Sequence, residues 1–125
     1  NNPVVLFTCG PSWNQVWKFK QGTIQLAFDQ AHKSNTYCLD TQPISSTDKF
    51  LKIVLNTCEA GKASQQWTTN AAGNIVNTAS GYCVDINQGI YKDGTKLLGY
   101  TCGNAQPNQV WGLPGGTNGV WEVKL

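Results

Sequence analysis

A threefold repeat constrains the fold of this chain more than any other feature. Three segments share a Thr-Cys pair, a short polar loop and a Gln-x-Trp motif. The motif tryptophans are Trp17, Trp67 and Trp111, which lie 50 and 44 residues apart. Self-similarity at a fixed period indicates that each repeat is one structural unit. We therefore predict three equivalent units around one core, with these tryptophans packed inside it.

The cysteines follow the same period. Cys38 and Cys83 lie in the similar contexts Tyr-Cys-Leu-Asp and Tyr-Cys-Val-Asp, and Cys58 and Cys102 follow them after 20 and 19 residues. We predict the disulfides Cys38–Cys58 and Cys83–Cys102. Such bonds persist in oxidising compartments, so we expect a secreted, extracellular protein. The remaining cysteine, Cys9, is either a free buried thiol or a cysteine whose partner is missing.

Short strands dominate the predicted local structure. Apolar or alternating runs such as TIQLAF and FLKIVLN lie between turn clusters such as AAGN and KDGT. No segment has a convincing helical period of 3.6 residues. A chain of 125 residues is long enough for one core. We predict one all-β domain over residues 1–125, a β-trefoil in which a six-stranded barrel is capped by three hairpins.

The Gln-x-Trp copies with an upstream Cys-x-Asp motif resemble the ricin B-type trefoil lectins, which are also carbohydrate-binding modules of many glycoside hydrolases. The resemblance covers nearly the whole chain. It implies carbohydrate binding without catalysis, to galactose-type sugars or to a polysaccharide that contains them. The chain is then either a free lectin or a module of a secreted glycoside hydrolase.

The resemblance also implies which residues bind the sugar. The family pocket uses the Asp after the first cysteine, an aromatic residue two before the second cysteine, and the Asn-Gln of the motif. The third repeat matches at Asp85, Tyr100, Asn108 and Gln109. We expect Asp85 and Asn108 to bind sugar hydroxyls, Gln109 to hold the Asp85 carboxylate, and Tyr100 to stack on the ring. Alternatively, Asp85 closes a turn and Tyr100 packs across strands.

The second repeat is a weaker match. Asp40 and Gln65 are present, but Asn56 stands where the family has its aromatic residue and Ser64 where it has the Asn. The stacking face and one hydrogen-bonding group are therefore missing. We expect this repeat to bind sugar weakly or not at all.

The first repeat is predicted to be incomplete at the N-terminus. It supplies Phe7, Asn14 and Gln15 as further candidates but has no Asp, because about a dozen residues of its first strand are missing by comparison with the other repeats. Three explanations are open. The natural chain starts upstream of Asn1 and supplies a partner for Cys9, the trefoil is truncated, or a neighbouring chain supplies the strand.

Several other functions are disfavoured by the composition and motifs. A net charge of +2 without a basic cluster argues against nucleic-acid binding, and no apolar run approaches about 18 residues, so we expect no membrane insertion. There is no Cys-x-x-Cys motif and one histidine, His32, so we expect no metal and no cofactor. Asp40 and Asp85 occupy separate repeats, which argues against a glycosidase carboxylate pair.

Two further expectations concern partners. A single shallow pocket binds weakly, so homodimerisation, attachment to a catalytic domain or a restored first pocket would be needed for useful affinity. The runner-up function is a trefoil protease inhibitor that acts through a surface loop. The loop TQPISSTDKF, with Pro43 and Lys49, is the expected bait segment.

Overall fold

A computed structural model describes residues 2–10, 15–26, 37–43, 50–103, 106–112 and 120–124. These residues form ten strands, and all the strand pairs between them are antiparallel. The strands are β1 Asn2–Pro3, β2 Val16–Lys20, β3 Thr23–Leu26, β4 Tyr37–Pro43, β5 Phe50–Thr57, β6 Trp67–Thr69, β7 Ile75–Asn77, β8 Cys83–Ile86, β9 Leu97–Tyr100 and β10 Val120–Lys124. Three 3₁₀ turns lie between the described strands, at Ala63–Gln65, Asn87–Gly89 and Pro107–Gln109. No helix among these residues is long and apolar enough to cross a membrane.

The strand order repeats as the sequence predicts. Strands β2 to β5 pair consecutively, strands β6 to β9 do the same, and β5 pairs with β9 to join the two meanders. Each meander has a motif tryptophan on its first strand and Cys-x-Asp on its third strand. The fourth strand of each ends close to the second cysteine of a disulfide. At one end of this arrangement β10 pairs with β2, and β1 pairs with β5, the strand that joins the two meanders. The fold is all-β, and the predicted β-trefoil is confirmed.

The core lies between the repeats and is built from aliphatic side chains and the motif tryptophans. Its most buried members include Leu39, Ile53 and Leu97. Trp17 and Trp67 are buried in it as predicted, whereas Trp111 is half-buried and packs against its edge. Trp17 and Trp67 lie in strands that pair with a neighbour, whereas Trp111 lies outside every described strand.

Two glycines join successive repeats through the same backbone contact. The amide of Trp67 donates to the Gly22 carbonyl at 2.7 Å, and the amide of Trp111 donates to the Gly73 carbonyl at 2.9 Å. Both glycines have positive φ, +82° and +89°, which disfavours other residues. A Cβ on Gly22 would lie 2.5 Å from the Gln66 Oε1 atom. The repeats can approach this closely because neither glycine has a side chain.

Both predicted disulfides, Cys38–Cys58 and Cys83–Cys102, are confirmed. Each connects the third strand of a meander to the loop after its fourth strand, just upstream of the next Gln-x-Trp motif. Cys9 forms no disulfide and is exposed, so the expectation of a buried free thiol is wrong. Phe7 and Thr8 are exposed as well, so this segment lies at the surface.

Candidate functional site

The motif glutamine organises the cysteine loop in the same way in all three repeats. Its Nε2 group donates to the carbonyl of the Thr before the cysteine, and its Oε1 atom accepts from the amide of the residue after the cysteine. The distances are 3.1 and 2.7 Å at Gln15, 3.0 and 2.9 Å at Gln65, and 3.0 and 2.8 Å at Gln109. In the second and third repeats, Nε2 also donates to the Asp of the Cys-x-Asp motif.

In the third repeat this network fixes the Asp85 carboxylate. Gln109 Nε2 donates to Asp85 Oδ2 at 2.6 Å, and Asn108 Nδ2 donates to Asp85 Oδ1 at 2.8 Å. Asp85 is only 6% exposed, and Gln109 is fully buried behind it. Each carboxylate oxygen has more than one acceptor position, so both oxygens keep capacity for a further donor. The carboxylate is therefore oriented in advance and still able to bind hydroxyl groups.

Tyr100 lies on the same face of the sheet as Asp85. In the β8–β9 pair, Cys83 is opposite Tyr100 and Asp85 is opposite Leu98. Positions two apart on a strand share a face, so Tyr100 and Asp85 are diagonal neighbours. Tyr100 is 43% exposed. Both residues line one cleft of about 970 Å³, together with Asn108. Of the four residues predicted for this site, three line the cleft and Gln109 positions one of them.

The cleft extends beyond the residues predicted from the sequence. Its lining also includes Asn87 and Lys96 at one end, and Phe50 and Lys52 from β5 of the preceding meander. Asn87 had a local signal, because it alternates with Asp85 and alternation predicts a shared face. Phe50 and Lys52 had none, since they reach the cleft through the long-range pairing of β5 with β9.

One residue at the cleft has unusual backbone geometry. Gln88 lines the cleft and has φ of 55°, a left-handed conformation that costs a residue other than glycine about 1–2 kcal/mol. Gly89 follows with φ of +65°. The two successive left-handed residues turn the chain sharply after β8 and bring the 3₁₀ turn to the cleft.

In the second repeat the equivalent acid is closed off by its own neighbours. Asp40 Oδ2 accepts from Asn56 Nδ2 at 3.0 Å and from Gln65 Nε2 at 3.1 Å, and it lies 3.1 Å from Lys62 Nζ. Asp40 Oδ1 accepts from the amide of Thr41 at 2.7 Å. The residue is fully buried. Asn56, which replaces the aromatic residue of the third repeat, therefore bonds to the acid instead of offering a stacking face.

The hydrogen bonds around Asp40 also change its pKa. Burial by itself raises the pKa of the carboxyl, but hydrogen bonds from four side chains outweigh burial and lower the pKa from 3.8 to about 2. The donors are Asn56, Ser64, Gln65 and Lys62. The pKa of Lys62 is raised, mainly by its hydrogen bond to Asp40. Asp40 is thus an ionised structural group that stabilises its own loop.

In the first repeat, Gln15 makes the same two backbone hydrogen bonds as Gln65 and Gln109 but has no Asp beside it in the described residues. Among the described residues no carboxylate accepts a hydrogen bond from Gln15, whose Nε2 reaches the Thr8 carbonyl. Phe7 is exposed, and Asn14 lies outside the described residues. The amide and hydroxyl of Thr8 both donate to the Asp93 carboxylate, at 2.7 Å and 2.8 Å. Asp93 therefore ties this loop to the segment between β8 and β9.

Two other predicted features fall mainly outside the described residues. Pro43 is the exposed last residue of β4, but residues 44–49 of the expected bait loop, including Lys49, are not described, and neither is His32. Within the described ranges no three His, Cys, Asp or Glu side chains are grouped closely enough to hold a metal ion.

The chain matches a family of known proteins. The family described as the ricin-type beta-trefoil lectin domain matches residues 1–111. That range contains all three Gln-x-Trp motifs, both disulfides and the four residues of the third-repeat site. Among curated proteins, no relative matches the chain.

Proposed function

The chain belongs to the ricin-type β-trefoil lectin family, a family of carbohydrate-binding domains, and we propose that it binds galactose-type sugars, or a polysaccharide that contains them, through the third-repeat cleft. The observation that carries this proposal is the placement of an exposed phenol ring and a fixed carboxylate on one face of the sheet. The domain itself acts by binding, and the residues of the cleft are assigned no catalytic step.

The chemistry of a hexose fits these groups. One side of a pyranose ring is an apolar C–H surface, and its edge has hydroxyl groups. Tyr100 supplies a flat apolar face whose hydroxyl can stay in water. Asp85 accepts hydrogen bonds from two adjacent hydroxyls, and these bonds are strong because the acceptor is charged. Asn108 directs its Nδ2 group to Asp85, which leaves its Oδ1 atom for a further sugar hydroxyl.

The galactose preference rests on the same carboxylate. A fixed acceptor with two oxygens suits neighbouring hydroxyls that both point toward it, as the 3- and 4-hydroxyls of galactose do. Gln109 and Asn108 each hold one oxygen, so the carboxylate cannot rotate freely to suit other arrangements. Pre-orientation of this kind gives selectivity because a misplaced hydroxyl leaves a buried polar group unpaired.

The biological setting is also a proposal. Two disulfides support secretion, because such bonds persist in oxidising compartments. One shallow site binds weakly, and avidity through a second copy of the chain or an attached catalytic domain would raise the effective affinity. We therefore propose a secreted lectin or a module of a secreted glycoside hydrolase.

Two matched tyrosines provide a direct test. Tyr100 is 43% exposed and lines the cleft, whereas Tyr91 is 60% exposed and lies outside it. On a glycan array and by calorimetry, Tyr100→Ala should lose at least about tenfold in affinity, and Tyr91→Ala should bind as the wild type does. Asp85→Ala should abolish binding.

The control for these variants is their melting temperature. A variant that loses binding while it melts close to the wild-type temperature supports the proposal. Wild-type affinity in both Tyr100→Ala and Asp85→Ala would refute it. If no galactose-type ligand on the array binds, but other glycans bind through the same residues, the sugar preference alone would be refuted.

A further inference from the structure

A second aromatic residue and two lysines lie on the cleft wall beyond Tyr100 and Asp85. In the β5–β9 pair, Phe50 is opposite Tyr100 and Lys52 is opposite Leu98. Residues that are directly opposite share a face of the sheet. Phe50 therefore extends the row that contains Tyr100, and Lys52 extends the row that contains Asp85. Both line the same cleft as the proposed sugar site.

Lys96 directly precedes β9 and lines the same cleft. It precedes Leu98 by two positions, so its side chain faces the same side. Lys52 and Lys96 are thus diagonal neighbours on either side of Leu98, with their stems about 7–8 Å apart. Both are exposed. Within the described residues no carboxylate forms an ion pair with either lysine.

We infer that this part of the cleft is a second subsite that takes an anionic sugar residue, bearing a carboxylate or a sulfate group, next to the neutral sugar at Asp85. This inference rests on the proposed function. Asp85, Leu98 and Lys52 lie on three adjacent strands, so the acid and the cation are about two strand spacings apart, roughly 10 Å. That separation corresponds to neighbouring residues of one oligosaccharide rather than to one ring.

The charges also set the order of the two sugars. The Asp85 carboxylate repels an anion placed over its own subsite, while the two lysines attract an anion placed beyond Leu98. Phe50 supplies an apolar face for the second ring, as Tyr100 does for the first. A cleft of about 970 Å³ lies at the upper end of the range for small-ligand sites, so more than one ring can enter.

The test compares a neutral galactose disaccharide with the same disaccharide carrying one carboxylate or one sulfate on its second residue. Titration calorimetry at about 50 mM salt should give about tenfold tighter binding for at least one anionic ligand, since two cations contact the added group. The preference should shrink at about 500 mM salt, where charges are screened. The anionic ligand that shows it identifies the recognised group.

Two double variants test whether the lysines cause the preference for the anionic disaccharide. The double variant Lys52→Gln/Lys96→Gln should lose the anionic preference and bind the neutral and anionic disaccharides with similar affinity. The control Lys18→Gln/Lys20→Gln changes the net charge equally on β2, outside the cleft, and should keep the preference. Equal affinity for neutral and anionic ligands in the wild type, or a preference that survives in the cleft variant, would overturn the inference while neutral binding stands. Failure of all the ligands to bind would overturn the proposed function as well.

Discussion

Acidification is expected to lower the free energy of unfolding by about 2.5 kcal/mol through Asp40 alone. In the folded chain, hydrogen bonds lower the pKa of this carboxyl from 3.8 to about 2. The unfolded chain therefore takes up the proton first, and the stabilisation is fully present above about pH 4 and is lost as the pH falls to about 2. A gap of nearly two pKa units, at about 1.4 kcal/mol each, gives the stated magnitude.

The assay is urea denaturation between about pH 2 and pH 6 at constant ionic strength, with wild type and Asp40→Asn compared. The variant should be less stable than the wild type by about 2 kcal/mol or more at pH 6, and the difference should narrow toward pH 2. Lys62→Gln, which removes the one charged donor among the four, should reduce the pH dependence only in part. Parallel pH profiles for the wild type and Asp40→Asn would show that the Asp40 carboxyl does not cause the loss of stability in acid.

Three further experiments test the fold and the site. Gly73→Ala should cost more stability than Gly61→Ala, since both have positive φ but only at Gly73 would the Cβ meet a backbone atom, the Trp111 carbonyl oxygen at 3.2 Å; thermal denaturation of the pair measures the difference. Trp67→Ala should cost about 3–5 kcal/mol and Trp111→Ala clearly less, because Trp67 is buried and Trp111 is half-buried; equal losses in urea denaturation would contradict this. Gln109→Ala should weaken sugar binding in calorimetry although the side chain does not line the cleft, because the carboxylate it holds becomes free to rotate; unchanged affinity would show that this hydrogen bond does not position the acid.

The parts of the fold that repeat were predictable from the sequence. Three Gln-x-Trp motifs and two Cys-x-Asp motifs at one period predicted the trefoil and both disulfides, because equivalent local sequences form equivalent strands and loops. The contact between Gln109 and Asp85 was also predictable, since it depends on two motif positions. Trp111 was predicted less well, because its burial depends on what packs beyond its own repeat.

The parts of the site that depend on unique contacts were not predictable. Phe50 and Lys52 line the cleft through a strand pairing between residues about 50 positions apart, and no local pattern marks such a contact. Weak binding by the second repeat was expected from its missing aromatic residue and from Ser64 in place of the Asn. The structure adds that Asn56 and Lys62 bond to the Asp40 carboxylate, an arrangement that neither residue type nor spacing indicates.

The most direct test of the account is a titration of the isotope-labelled chain with galactose, followed by amide chemical shifts in NMR spectra. We expect the largest shifts to cluster at residues 85, 98–101, 106, 108 and 109, with the amides around Asp40 unchanged. Saturable shifts centred on Asp40 and Gln65, with the amides near Tyr100 unmoved, would contradict it.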